Sequence, residues 1–138
     1  MDADLGARLR AIGAFVEELE APTFVAGAWH QSERREEGDD KDVWTLPWFE
    51  LSERGLAFVR ALGGIMETFD WPTWAATPAA QALYHDREAL ASASIEDLRR
   101  IATAVLRSDR FNEGQLSDAF DSGLMAAIAR RAAALAAR

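Results

Sequence analysis

The chain has 138 residues, a net charge of −8, no cysteine and an apolar fraction of 49%. That length suits one domain, which can bury roughly 65–70% of its unfolded surface without covalent staples. The composition excludes a disordered chain, a disulfide scaffold, thiol catalysis and cysteine-based zinc sites, and the acidic surplus repels nucleic acid.

No stretch approaches the roughly 20 apolar residues of a membrane helix, so no membrane partner is expected. The opening "MDADLGARLR" is acidic and lacks the apolar core of a signal peptide. The expectation is a soluble, cytoplasmic protein. Abundant Ala and Arg with little Lys suggest a bacterial genome of high GC content.

Residues 4–20 read as the first helix. Leu5, Leu9, Ile12, Val16 and Leu19 form one apolar stripe at helical spacing, and Asp2 or Asp4 can cap its start. Glu17, Glu18 and Glu20 crowd its end, where carboxylates oppose the helix dipole. They read as a solvated acidic face, with Arg34 and Arg35 as alternative partners. Pro22 ends the helix. Two segments rich in Val, Phe and Trp then flank the charged run "QSERREEGDDKD", a pattern that predicts a two-stranded hairpin near residues 23–50. A short helix over 22–30 is the competing reading. Pro47 confines the second strand to an edge. "GDDKD" lacks the ligand spacing of a calcium loop and reads as solvated.

Ser52 caps a predicted helix over 53–63, with Leu56, Val59 and Leu62 on one side and Gly63-Gly64 as its stop. Asp70 before Trp71-Pro72 and Thr77 before Pro78 each read as a cap followed by proline in a first turn. The second starts a helix over 78–85. "SIED" at 94–97 opens the clearest helix, whose stripe runs through Ile95, Leu98, Ile101, Ala102, Val105 and Leu106. A short helix over 113–121 and a last one carrying Leu124, Ile128, Ala132 and Leu135 complete the chain, with Ser122-Gly123 between them. Arg130, Arg131 and Arg138 read as cations near a helix C-terminus.

Between the helix opened by "SIED" and the short helix that follows it lies "RSDRFNEG", Arg107 to Gly114. Phe111 is its one apolar residue. The expected arrangement sinks Phe111 into the core, sets the carboxylates of Asp109 and Glu113 near the N–H groups of the next helix, and lets Arg107 or Arg110 clamp one of them. The functional alternative uses the same arginines to hold an anion, with Asp109 or Glu113 as general base. No DNA-reading helix is expected, because Glu113, Asp118 and Asp121 would face phosphates and no Arg or Lys lies between 111 and 129.

The stretch from Trp48 to Leu135 resembles an uncharacterised family of small bacterial proteins, a domain of unknown function. "LPWFELS", "FDWPTW" and above all "LRSDRFNEGQLSDAFDSGLMAAIARR" carry the resemblance. It implies a free-standing bacterial protein and marks Arg107, Asp109, Arg110, Phe111, Glu113 and Gly114 as a hallmark. It transfers no activity, and residues 1–45 match less well.

Five tryptophans read mostly as core, with Trp44 and Trp48, on the predicted edge segment, as interface candidates. His30 and His85 are too far apart in sequence to suggest a metal site, and no phosphate loop or other cofactor motif is present. The sequence therefore predicts a mainly α, single-domain helical bundle of five to seven helices with a small two-stranded hairpin. Two functions fit it. One is a non-catalytic binding or regulatory module acting through protein contacts, self-association included. The other is a small enzyme or binder for an anionic metabolite or nucleotide, centred on Arg107, Arg110 and Glu113.

Overall fold

A computed structural model describes residues 2–30, 47–109 and 114–138. These residues are mainly helical, with one two-stranded antiparallel sheet. In order they form α1 (Ala3–Gly13), α2 (Val16–Glu20), β1 (Gly27–His30), β2 (Trp48–Leu51), α3 (Glu53–Gly63), α4 (Trp71–Ala75), α5 (Pro78–His85), α6 (Arg87–Ala91), α7 (Ile95–Ser108), α8 (Gln115–Asp121) and α9 (Leu124–Ala136).

Short polar side chains start most of these helices. Asp2, Ser52, Asp70, Thr77, Asp86 and Ser94 each accept a hydrogen bond from a backbone N–H in the first turn they precede. The exceptions are α2, which follows Phe15 directly, and α8 and α9, which start from Gly114 (φ 96°) and Gly123 (φ 83°). Both glycines occupy the left-handed region, which side chains with a Cβ rarely adopt.

The core is built around α7 and α9. Leu98, Ile101, Ala102 and Val105 of α7 meet Met125, Ile128, Ala129 and Ala132 of α9, all fully buried. Leu9 and Ile12 of α1 and Phe58 and Leu62 of α3 close around them. An aromatic chain ties the outer elements to this centre. Phe58 meets Phe15 edge-on at 5.4 Å and Phe120 at 5.9 Å, and Phe120 in turn meets Phe24 at 6.0 Å.

The hairpin is present where the sequence placed it, in preference to the competing helix over 22–30. Three local readings change. The single helix expected over 4–20 is divided at Ala14 and Phe15, where the Phe15 N–H bonds to Ile12 O at 3.1 Å and tightens the turn. Residues 87–91, between the helices predicted over 78–85 and from 94, form a further helix, α6. On α3 the fully buried positions are Gly55, Phe58 and Leu62, whereas Leu56 is 37% exposed. The Phe58 ring, and not Leu56, supplies the volume that fills the space between Phe15 and Phe120.

Helix α7 also holds a buried polar group. The Thr103 hydroxyl donates to Arg99 O at 2.8 Å and accepts the Glu67 N–H at 3.0 Å, while Arg99 Nε donates to Ile65 O at 3.0 Å. These bonds fasten the connection between α3 and α4 to α7 and satisfy its backbone groups.

Candidate functional site

The β1–β2 pair packs against α3, and Trp29 of β1 lies beside Gly114 at the start of α8. The register of the pair sets Trp29 opposite Phe49 and His30 opposite Trp48. Alternation then gives two faces. Gly27, Trp29, Phe49 and Leu51 face the helices, and Ala28, His30, Trp48 and Glu50 face outward. On the outer face the His30 and Trp48 rings stack at 4.6 Å, and His30 Nε2 lies 2.9 Å from Glu50 Oε2. On the inner face Trp29 and Phe49 meet at 5.5 Å.

The base of the hairpin is locked by close backbone approach. A Cβ on Gly27 would strike the Glu50 carbonyl oxygen, and one on Gly55 would strike the Ala26 carbonyl oxygen. Ser52 completes the lock. Its hydroxyl donates to Val25 O at 2.7 Å and accepts the Gly55 N–H at 3.0 Å, and its own N–H reaches Ala26 O at 2.8 Å. The glycines let α3 press against the strand, and the serine fixes their separation.

This rigid base carries large apolar side chains in solvent. Val25 is 65% exposed, Trp29 50% and Trp48 44%, the three most exposed large hydrophobics among the described residues. Trp71 and Trp74 are half-buried, so no described tryptophan is a core residue, contrary to the expectation for most of them. The core is filled by aliphatic side chains and phenylalanine, while the indoles lie at its margin. Trp48 is exposed on the outer face, and Trp29, not singled out from the sequence, joins it. Alternation could not reveal Trp29, because it sits on the inner face and is nonetheless 50% exposed. Trp44 lies outside the described residues.

The described part of the charged corner touches the same region. Asp109 follows α7, and its carboxylate accepts the Leu116 N–H in the first turn of α8 at 3.3 Å. Arg107 is exposed and makes no ion pair with another described residue. The Trp29 ring passes over Gly114, within 3.3 Å of where a Cβ would stand. Gly114 thus allows both the left-handed turn and the seat for the indole. Arg110, Phe111 and Glu113, and with them the buried-ring arrangement and the anion-holding alternative, lie outside the described residues.

The acidic end of α2 is not a free solvated face. Arg54 of α3 binds Glu18 through two bonds, Nε to Oε1 at 2.5 Å and Nη2 to Oε2 at 2.8 Å. The hydrogen bonds from Arg54 hold the Glu18 carboxyl below its ordinary value, and Glu18 in turn raises that of Arg54. Glu20 pairs with Arg130 of α9, whose Nε lies 2.9 Å from its Oε1. Arg34 and Arg35, the partners considered from sequence, lie outside the described residues. Arg130 and Arg131 are therefore not terminal dipole partners. Arg130 reaches Glu20, and Arg131 Nε donates to Ala93 O at 2.8 Å. Both act across helices because α9 runs on to Ala136.

His85 Nε2 lies 3.2 Å from Gln81 Oε1 on its own helix, remote from the His30–Glu50 pair. Among the described residues no group of three or more His, Asp or Glu side chains is placed to hold a metal ion. No helix formed by them is long and apolar enough to cross a membrane.

A family model described as "Family of unknown function (DUF6508)" matches residues 5–138, and the chain belongs to that family. The match takes in the N-terminal region that the resemblance from Trp48 onward left aside. No curated protein and no solved structure matches the chain.

Proposed function

We propose that this family member is a non-catalytic binding module whose working surface is the exposed face of the β1–β2 hairpin, and that it first binds a second copy of itself. The observation that carries this reading is the exposure of Trp48 on the outer strand face, above a base held by Gly27, Ser52 and Gly55. Tryptophans on a fixed scaffold are the side chains that supply most binding energy at interfaces, because they bury large area at little entropic cost.

Two further features favour a second copy. A two-fold contact needs a self-complementary patch. The outer face offers one, with apolar Trp48 and Ala28 beside an imidazole and a carboxylate at His30 and Glu50. The sheet also has only two strands, so each leaves an outer edge without a ladder partner among the described residues. Such edges pair readily with another strand. The reading places the chain in the cytoplasm, which its cysteine-free composition permits. It assigns no nucleic-acid partner, in keeping with the net charge of −8.

Light scattering over micromolar to millimolar concentration tests it. The molar mass should rise from the 15.2 kDa of one chain toward twice that value. A mass that stays at one chain throughout would refute self-association.

A further inference from the structure

A second surface lies on the far side of α9 from α7. Helices α6 and α9 and the end of α2 enclose a groove of about 410 Å³. Its walls carry three arginines, Arg87, Arg130 and Arg131, and one acid, Glu20. Its remaining lining is almost wholly small and apolar, chiefly Ala91, Ala126, Ala127 and Ala134.

The three guanidinium groups are not equivalent. Arg130 is neutralised by Glu20. Arg87 and Arg131 have no carboxylate partner among the described residues. Carbonyl oxygens hold them instead. Arg87 Nη1 donates to Tyr84 O and Nη2 to Ser122 O, both at 3.0 Å, and Arg131 Nε donates to Ala93 O at 2.8 Å. Carbonyl bonds orient a guanidinium without cancelling its charge, and each arginine has five N–H donors, so several remain unused. Two half-buried, uncompensated cations on one cavity are conspicuous in a chain with a net charge of −8, where carboxylates are abundant. A volume near 400 Å³ is also in the range of small-molecule sites, which are mostly apolar with a few convergent polar groups.

We infer that this groove binds a small organic anion, with a carboxylate or phosphate-ester head against Arg87 and Arg131 and an apolar body on the alanine face of α9. Planar donor forks match the oxygens of both head groups, and charge-assisted bonds to them are the strong ones. The alanines leave the volume that the body fills. The site is separate from the hairpin surface and does not depend on it.

The test is titration of the full-length protein with benzoate, phenyl phosphate and inorganic phosphate, followed by calorimetry and amide chemical shifts. Benzoate or phenyl phosphate should bind saturably, with shifts centred on residues 87–91 and 123–134, and inorganic phosphate should bind more weakly because it lacks the body. Which aromatic anion binds tighter identifies the head group. Arg131→Gln should weaken binding by roughly tenfold or more. Ala134→Phe, at an exposed position on the rim, should block the groove while leaving the fold intact. Absence of saturable binding by both aromatic anions at millimolar concentration would overturn the inference. So would binding that Ala134→Phe leaves unchanged, or shifts centred elsewhere.

Discussion

At the scale of single residues, Thr103 shows how much depends on one hydroxyl. It is 1% exposed, and it supplies the acceptor for the Glu67 N–H. Valine has nearly the same shape but no acceptor, so Thr103→Val leaves that N–H unpaired. A buried unsatisfied donor costs about 1–3 kcal/mol, whereas Thr103→Ser retains the bond and should cost less. Urea denaturation of the two variants should show that order, and equal losses would contradict the role given to the hydroxyl.

The Glu18–Arg54 pair predicts a pH dependence. Its hydrogen bonds lower the folded pKa of Glu18 below the ordinary 4.5, so in that window the unfolded chain binds more protons than the folded one. The contribution is therefore fully present above pH 4.5 and is lost as pH falls through the lowered folded value. Arg54→Met removes the pair. The stability difference between wild type and Arg54→Met, measured by urea midpoint against pH, should shrink as the solution is acidified below the ordinary carboxylate range. A difference that grew on acidification would contradict the pairing.

Among the elements, α1 and α9 make the tightest crossing. A Cβ on Gly13 would stand 2.8 Å from Cα and Cβ of Ala133. Alanine is the better helix former by about 0.8–1 kcal/mol, so propensity alone would make Gly13→Ala stabilising. The steric term opposes it, because the clash is with backbone and overpacking of this kind costs about 1–3 kcal/mol. The net prediction is a loss of roughly 1 kcal/mol or more, read from the denaturant midpoint. A gain in stability would show that the helices can separate freely.

The same scale explains what was legible in the sequence. Helix starts were, since Ser52, Asp70, Thr77 and Ser94 act on N–H groups three residues away. The stripe of α7 was in its middle, at Leu98, Ile101, Ala102 and Val105, although Thr103 and Ala104 are buried beside it. What depends on distant chain was not. Glu18 finds Arg54 at 36 residues' separation and Glu20 finds Arg130 at 110, so their ends of the pattern look like loose charge. Phe58, rather than Leu56, is buried where it meets Phe15 and Phe120, residues more than forty positions away on either side. Trp29 belongs to this group as well, since its seat on Gly114 joins a hairpin to a corner more than eighty residues further along the chain.

For the whole molecule, two surfaces stand apart. One carries the exposed Trp48 on the outer face of the hairpin. The other is cationic and recessed between α6 and α9. Both are offered by a chain whose charge is otherwise strongly negative, which keeps non-specific association low and leaves these patches as the places where contact is favourable. The small residues of α9 serve both ends of the architecture. Ala133 admits α1 through Gly13, while Ala126, Ala127 and Ala134 leave the groove open toward α6.

The most direct measurement is the molar mass of Trp48→Glu beside wild type, by sedimentation equilibrium at matched high concentration. Trp48 is on the outer strand face and 44% exposed, so the substitution places a charge on the proposed contact without opening the core. The account predicts a two-chain species for wild type and a single chain for the variant, with unchanged helical circular dichroism. A dimer that survives Trp48→Glu, or a wild type that never leaves the mass of one chain, would contradict it.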